Sequence, residues 1–525
     1  MSAKSKPVVL SGKNLKIDDI HRLIKNPHLR VGVSRSCLGA IRKSRKYIEE
    51  EAEKKVIYGT NTGFGPMASY IIDKQHLEEL QKNLILGHAV GIGTPICDSY
   101  VLASMVVRLN TLVRGHSGVS PELIERLIFF INHRILPIIP EHGAVGTSGD
   151  LVQLAHIALA LIGEGDVHYK GKRDSAKSVL KKLHIGGYKL KSKEGLSLIN
   201  GTSVMTGIAA VHCHDAQQLF SLAVRNGALA LELVQSHSDG ISKLLHDLRP
   251  HNGQILVAQA LRKLLGGSIL LKSRRTLESV VKINSIIHKI QEDVQEIYSL
   301  RCIAQIVGPG LDTLLQSIRT TETEMNSVTD NPIVDFVNKE FLHGGNFHGE
   351  YIAVALDHLK MSLAKLSMLS ERRLNFFLNE RLNSKFPPFL NLKRPGLTMG
   401  LQGLQFVATS TASQNQTLSY PHSIHSIPTN ADNQDVVSMG TDVALFTSKV
   451  IENTYVVLAI EAVALSQAVD FLNIQKKLSN SSKGLLALIR TAIPAIYDDR
   501  VLGDELENLI VSLKASPMIN IEWAR

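Results

Sequence analysis

The stretch GAVGTSGDLVQLAH, residues 143 to 156, sets glycines at 143, 146 and 149 around Thr147-Ser148-Gly149 and Asp150, then enters an apolar pattern. Two readings fit it. The first is a helix start: Asp150 as N-cap with Gln153 three residues on has capping-box spacing, and Leu151, Leu154, Ala155, Ala158, Leu159 and Ile162 follow at helical period until Gly163 and Gly165. The second is covalent. A backbone nitrogen can attack the carbonyl two residues back only where the chain folds tightly on itself, and a residue without Cβ lowers that barrier. If the Gly149 nitrogen closes onto the Thr147 carbonyl carbon and two waters leave, one carrying the Ser148 hydroxyl, the product is an imidazolone with an exocyclic methylidene. No ordinary side chain offers such an electrophile. At the head of a helix, the positive end of the macrodipole would favour negative charge flowing into the ring. A cap alone does not require Ser148 before Gly149 with Gly143 and Gly146 upstream.

Other residues are candidates by type and spacing. Arg301, in YSLRC (298 to 302), carries a guanidinium that can take both oxygens of a carboxylate, although an Arg in a last helical turn is more often a cap or a surface ion pair. Tyr298, three positions earlier, falls on the same helical face. Histidine-rich stretches such as HCHD (212 to 215), HGGNFH (343 to 348) and PHSIH (421 to 425) suggest a metal centre, but His212 and His214 point to different faces of a helix and no HExxH occurs. No metal is expected. GTNTGFG lacks the strand and helix context of a dinucleotide loop.

The elements that must position these residues change character near residue 190. Before it, apolar runs are short and broken by Gly and Pro; after it come long helical patterns. The expectation is a mainly α protein, with a smaller Gly-rich region at 1–190 carrying the Tyr58 loop and the Thr147–Gly149 loop, and a long-helix bundle and association region at 191–525. In TLESVVKINSIIHKIQEDVQEIY, the residues Val280, Ile283, Ile287, Ile290, Val294 and Ile297 predict one continuous stripe on a long helix. Similar patterns fill 350 to 382 and 436 to 470. Helices of that length call for lengthwise packing, including against other copies of the chain. Candidate strands are short ones such as Lys55 to Tyr58.

At 525 residues the chain exceeds the size at which one core keeps growing, and 44% hydrophobic with 20% charged residues is the composition of a folded globular protein. A net charge of +10 over that length is thin, and the densest basic stretch, 168 to 195, has no aromatic interleaving, so it reads as a solvated excursion and not a nucleic-acid site. Cys37, Cys97, Cys213 and Cys302 show no metal or disulfide spacing. The N-terminus has no apolar targeting region and no uninterrupted apolar run of about eighteen residues is visible, so neither secretion nor membrane insertion is expected and the cytoplasm is the default location.

In several motifs the chain resembles the aromatic amino acid ammonia-lyases and aminomutases that use 4-methylidene-imidazol-5-one (MIO). The motifs are VIYGTNTGFG (56–65), GAVGTSGDL (143–151), LINGTS (198–203), YSLRC (298–302), TDNP (329–332), HGGNFHGE (343–350), SERR (370–373) and NQDVVSMGT (433–441), spread over nearly the whole chain. The family usually has Ala-Ser-Gly where this chain has Thr147-Ser148-Gly149; the change leaves the Ser148 and Gly149 chemistry in place. The resemblance implies that Thr147, Ser148 and Gly149 form MIO without a metal, and that Asp150, Asn200 and Phe347 support it. It further implies that Tyr58 is the base at the β-carbon, with Tyr298 also catalytic, and that Gly65, Gly87, His88, Gln295, Arg301, Asn331, Asn430 and Gln434 bind the substrate. The partners implied are a small aromatic amino acid and other copies of the chain, in a homotetramer with shared active sites, with neither nucleic acid nor membrane.

For the substrate, the same resemblance implies that the pair Gly87-His88 faces its ring. His88 can hydrogen-bond a phenol or an imidazole, which disfavours phenylalanine. Gln434 stands where histidine lyases usually carry Glu, and a neutral amide suits a phenol and avoids a buried unpaired charge. The reading is therefore L-tyrosine to trans-4-coumarate, with histidine to urocanate, or a tyrosine 2,3-aminomutase, as alternatives.

Overall fold

From Val101 to Leu112 every side chain of the helix Asp98–Leu112 is buried, the polar Ser104, Arg108, Asn110 and Thr111 included, so this helix lies inside a core. The computed structural model describes residues 6–280 and 294–523. With 60% of the chain in helix and 8% in strand, the protein is mainly α, as expected. Its strands have two to four residues each.

Two units are distinguished. The first comprises Met1–His214, Ser317–Asp357 and Pro421–Phe446. In it Asp98–Leu112 packs against Pro121–His133 and Ile17–Lys25, Arg35–Glu51 packs against Pro121–His133, and Leu151–Leu161 packs against both Leu77–His88 and Pro121–His133. The helix Pro121–His133 shows why such elements begin and end where they do: the Ser120 hydroxyl accepts from the Leu123 N–H, Pro121 occupies the first turn, and Arg134 closes the helix at φ 52°. Small sheets finish the unit, among them the parallel pair Val8–Leu10 with Val31–Val33 and the hairpin Ile333–Asp335 with Glu340–Leu342.

The second unit comprises Asp215–Gln316, His358–Tyr420 and Thr447–Arg525. Its core holds an ion pair at zero exposure: the Arg373 guanidinium meets the Glu461 carboxylate at 2.5 Å and 3.1 Å, and Ser370 (2.6 Å) and Asn226 (3.1 Å) donate to the same carboxylate. Ser370 and Arg373 are the first and last residues of SERR. The cluster joins the helices Ser203–Val234, Glu350–Leu378 and Gly440–Leu472. The last is long and apolar enough to cross a membrane by length and composition, but 78% of its most apolar stretch is buried in the protein, the pattern of a core helix.

Four local expectations are corrected. Lys55–Tyr58 is not a strand, because the Asn61 amide takes the backbone groups that a ladder would need: its oxygen accepts from Ile57 N–H, and its nitrogen donates to the Ala52 and Lys55 carbonyls. The stripe from Val280 to Ile297 is not one helix. Residues 281–293 lie outside the described residues, while Val294 and Ile297 stand on non-helical backbone, with Arg274 donating to the Val294 carbonyl and Ile297 extended at ψ 158° ahead of the helix Tyr298–Arg301. The basic stretch 168 to 195 is no mere solvated excursion. It holds the strand Lys172–Ser175, the helix Ala176–Lys182 with Ala176, Val179 and Leu180 buried, and a fully buried Lys193 paired with Asp330 at 3.1 Å. The fourth correction concerns Asp150, below.

Candidate active site

Asp150 sits at the N-cap position of Leu151–Leu161 but makes no side-chain cap to it. Its carboxylate instead accepts from the N–H groups of Val204 (2.7 Å) and Met205 (3.0 Å), in the first turn of Ser203–Val234, and from the Thr441 hydroxyl at 2.5 Å. It caps the neighbouring helix, where the orphan N–H groups and the positive dipole end favour an anion. Burial pushes this carboxyl up to about 6, against the pull of the Thr441, Met205 and Val204 donors and the Arg108 charge.

This capping fixes the Thr147–Gly149 loop against the loop at residues 198–203. Asp150 N–H donates to the Gly201 carbonyl (2.9 Å), and Gly201 N–H reaches the Ser148 carbonyl (3.4 Å), so Gly149 and Gly201 face each other as an isolated parallel bridge. Gly149 has φ +69°, and a Cβ there would lie 2.0 Å from the Gly201 oxygen. Only glycine fits. The Asn200 amide nitrogen lies 3.5 Å from the Ser148 carbonyl, and its Oδ1 is buried with no hydrogen-bond partner among the described residues. Beneath the turn, the buried Arg108 guanidinium donates to the Ser197 and Asn200 carbonyls. Burial lowers its pKa to about 10, which leaves it cationic at neutral pH.

These features fit a ring closed from Thr147, Ser148 and Gly149: no Cβ at the attacking residue, a carbonyl and an amide already packed around Ser148, and an orphaned amide oxygen beside it. Gln434 completes the surroundings, with Thr147 Oγ1 donating to its Oε1 (2.5 Å) and its Nε2 donating to Ser148 Oγ (3.0 Å).

Tyr58 lies in a turn, half-buried, and its hydroxyl oxygen accepts the Gly65 N–H at 2.9 Å. That contact leaves the phenol's own proton free to point elsewhere. Gly65, at φ +54°, abuts Asn430, whose amide nitrogen would lie 2.6 Å from a Cβ at residue 65. Residues 429 to 434 therefore touch both centres: Thr429 and Gln434 pair through mutual backbone bonds of 3.1 Å and 3.2 Å, and Asn430, Ala431 and Asp432 between them all have positive φ.

The segment 343–350 links the rest. The Tyr58 N–H donates to His343 Nε2 (3.4 Å), Gly344 N–H donates to Asn331 Oδ1 (2.9 Å), and Gly349 N–H donates to the Gly146 carbonyl (2.9 Å). Phe347 is half-buried within it. His88 ends the helix Leu77–His88 after the exposed Gly87, and makes its hydrogen bond inside its own helix, from Nδ1 to the Leu84 carbonyl at 2.8 Å. An Nδ1 facing a carbonyl carries the proton, so Nε2 is left as an acceptor.

Gln295, Tyr298 and Arg301 stand in the second unit. The Arg301 guanidinium lies 4.9 Å over the Tyr298 ring, and its Nε is buried with no hydrogen-bond partner among the described residues. Tyr298 is 70% exposed and Gln295 is also exposed. Arg108, Thr441 and Asn61 were not anticipated as site residues. Arg108 had one signal, a charge in the otherwise apolar run YVLASMVVRLNTLV, and Thr441 lies in a quoted motif without having been singled out.

Residues 15–491 match the family model described as aromatic amino acid lyase. A histidine ammonia-lyase of Geobacillus thermodenitrificans is 40% identical over 97% of this chain and 97% of its own length. Among solved structures, the tyrosine aminomutase of Streptomyces globisporus aligns with TM-score 0.95 at 36% identity, covering 99% of this chain and 100% of that one. The histidine ammonia-lyase of Trypanosoma cruzi aligns with TM-score 0.88 at 32% identity, over 98% and 94% respectively.

Proposed function

The chain belongs to the aromatic amino acid lyase family, a family of carbon–nitrogen lyases, and on that premise we propose that it eliminates ammonia from L-histidine to give urocanate, using MIO formed from Thr147, Ser148 and Gly149. The observation that carries the substrate is the 40% identity, over nearly the full length of both chains, to a histidine ammonia-lyase. It reverses the order of substrates anticipated from His88 and Gln434.

Expelling ammonia from an α-amino acid requires removal of a weakly acidic β-hydrogen and departure of a poor leaving group. When formed, MIO supplies an electrophilic carbon that bonds the amine and makes it a better leaving group. Tyr58 Oη takes the β-proton, and the Gly65 N–H that orients the phenol stays in place to bond the oxygen once it is charged. His88 Nε2 accepts the N–H of the substrate imidazole, its tautomer set by the Leu84 carbonyl. Asn200 and Asp150 hold the cofactor loop, and Phe347 packs beside it. Gly65, Gly87, Asn430 and Gln434 shape the pocket, with Asn331 assigned to the substrate carboxylate. In the second unit, Arg301 Nε, which has no partner among the described residues, is a donor that a carboxylate would use, with Tyr298 beneath the guanidinium and Gln295 nearby in sequence. The proposal extends to a homotetramer with shared active sites.

Tyrosine is the second reading, by lyase or 2,3-aminomutase chemistry. Gln434 favours it, since an amide and not a carboxylate stands beside Thr147 and Ser148. Incubating the purified protein separately with histidine, tyrosine and phenylalanine and identifying the products decides among them. Urocanate as the dominant product is expected. Coumarate or β-tyrosine in its place would move the assignment to tyrosine, and activity surviving in Ser148→Ala would remove the cofactor from the mechanism.

A further inference from the structure

Two residues at which this chain departs from the family pattern, Thr147 for the usual Ala and Gln434 for the Glu of histidine lyases, lie 287 positions apart and are hydrogen-bonded to each other. The Thr147 hydroxyl donates to the amide oxygen of Gln434, Oε1, in a contact shorter than an ordinary hydrogen bond. The amide nitrogen is thereby turned toward Ser148 Oγ, at an ordinary N–H···O distance of 3.0 Å. We propose that Thr147 and Gln434 act together in maturation: the Thr147 hydroxyl locks the Gln434 amide, and the amide N–H holds the Ser148 hydroxyl as the group that must leave. This rests on the proposed function only in requiring that a ring forms from residues 147 to 149.

The chemistry balances without an added reagent. The Gly149 nitrogen bonds the Thr147 carbonyl carbon and passes its proton to that oxygen. The oxygen then leaves as water with the Ser148 amide proton, giving a C=N bond. In the second dehydration the Ser148 Cα proton and Oγ hydroxyl depart together as water, giving the Cα=Cβ methylidene. Hydroxide is a poor leaving group, and an N–H donor aimed at Oγ stabilises the charge that develops as the Cβ–Oγ bond breaks. An ionised Glu at 434 accepts only and could not supply that donor. With Ala at 147, nothing would hold the amide oxygen, and the amide could turn over to present its own oxygen to Ser148. Thr147 is buried, so water does not readily replace its hydroxyl. Gln434 is therefore a positioning residue for ring formation in addition to any contact with substrate.

The test is a time course of cell-free synthesis, with the mass of the peptide spanning 143–156 read at intervals for loss of two waters. Gln434→Glu and Thr147→Ala are each expected to mature about fivefold to tenfold more slowly than wild type, tenfold being the equivalent of about 1.4 kcal/mol. Thr147→Ser, which returns a hydroxyl, is expected to restore the rate, which a mere packing defect would not allow. Because Thr147 acts through the amide, the double variant Thr147→Ala with Gln434→Glu should be no slower than Gln434→Glu alone. Wild-type kinetics in Gln434→Glu, or multiplicative slowing in the double variant, would overturn the relay while leaving the lyase reading intact. A wild-type chain that never loses the two waters would overturn the lyase reading first and the relay with it.

Discussion

Tyr58 depends on one backbone donor, the Gly65 N–H, to aim its phenol. Tyr58→Phe keeps the ring and removes the phenol oxygen proposed as the base, so kcat for acrylate formation should fall about a thousandfold with KM little changed, within the span that removing a general base usually costs. Gly149→Ala should leave the 143–156 peptide at its unmodified mass and lower the melting temperature. A side chain at φ +69° costs about 1 to 2 kcal/mol before its collision with the Gly201 oxygen is counted. Asp150 makes a pH-dependent contribution. Its folded-state carboxyl titrates near 6, above an ordinary aspartate, so the folded chain holds a proton that the unfolded chain has released. The associated stabilisation is complete below about 4 and is lost as pH rises through about 6, amounting to at most about 3 kcal/mol. Across that window, denaturation midpoints of wild type should decline relative to Asp150→Asn, and a pH-independent difference would contradict the assignment. At this scale the sequence was legible at Gly149, where a left-handed backbone packed against the Gly201 oxygen admits no Cβ. It was not legible where one side chain serves two elements: the Asp150-x-x-Gln153 spacing pointed to a cap on its own helix, whereas the carboxylate caps a helix more than fifty residues further along the chain.

Among elements, the Arg373–Glu461 pair ties three long helices through one buried carboxylate. Glu461→Gln would leave the guanidinium charged and unpaired in the core, at a cost of about 3 to 5 kcal/mol in denaturant unfolding, whereas replacing both partners with apolar residues should cost markedly less. Equal losses in the single and double variants would mean that the charges do not matter. The helices themselves were readable from apolar periodicity, since the patterns at 350–382 and 436–470 correspond to Glu350–Leu378 and Gly440–Leu472. Short elements were not, because at Asn61 and Arg274 a side chain competes for backbone groups and decides locally against the periodic pattern.

For the whole molecule, the helix Gln402–Leu418 buries Leu404, Ala408, Ala412 and Asn415 and leaves Phe406 64% exposed beside Val407. A face of that kind fits association between copies of the chain. Light scattering is expected to give four times the chain mass for wild type and a smaller species for Phe406→Asp; an unchanged mass would place the contact elsewhere. The loop from Thr429 to Gln434 carries a different consequence. Within one short strip, the Asn430 side chain abuts Gly65, whose N–H bonds Tyr58, and the Gln434 side chain donates to Ser148 Oγ. If ring formation runs through the Gln434 amide as proposed, a lineage that rewrites this strip to accept a new nutrient also resets how soon each newly made copy becomes competent, and diet and readiness then cannot drift independently.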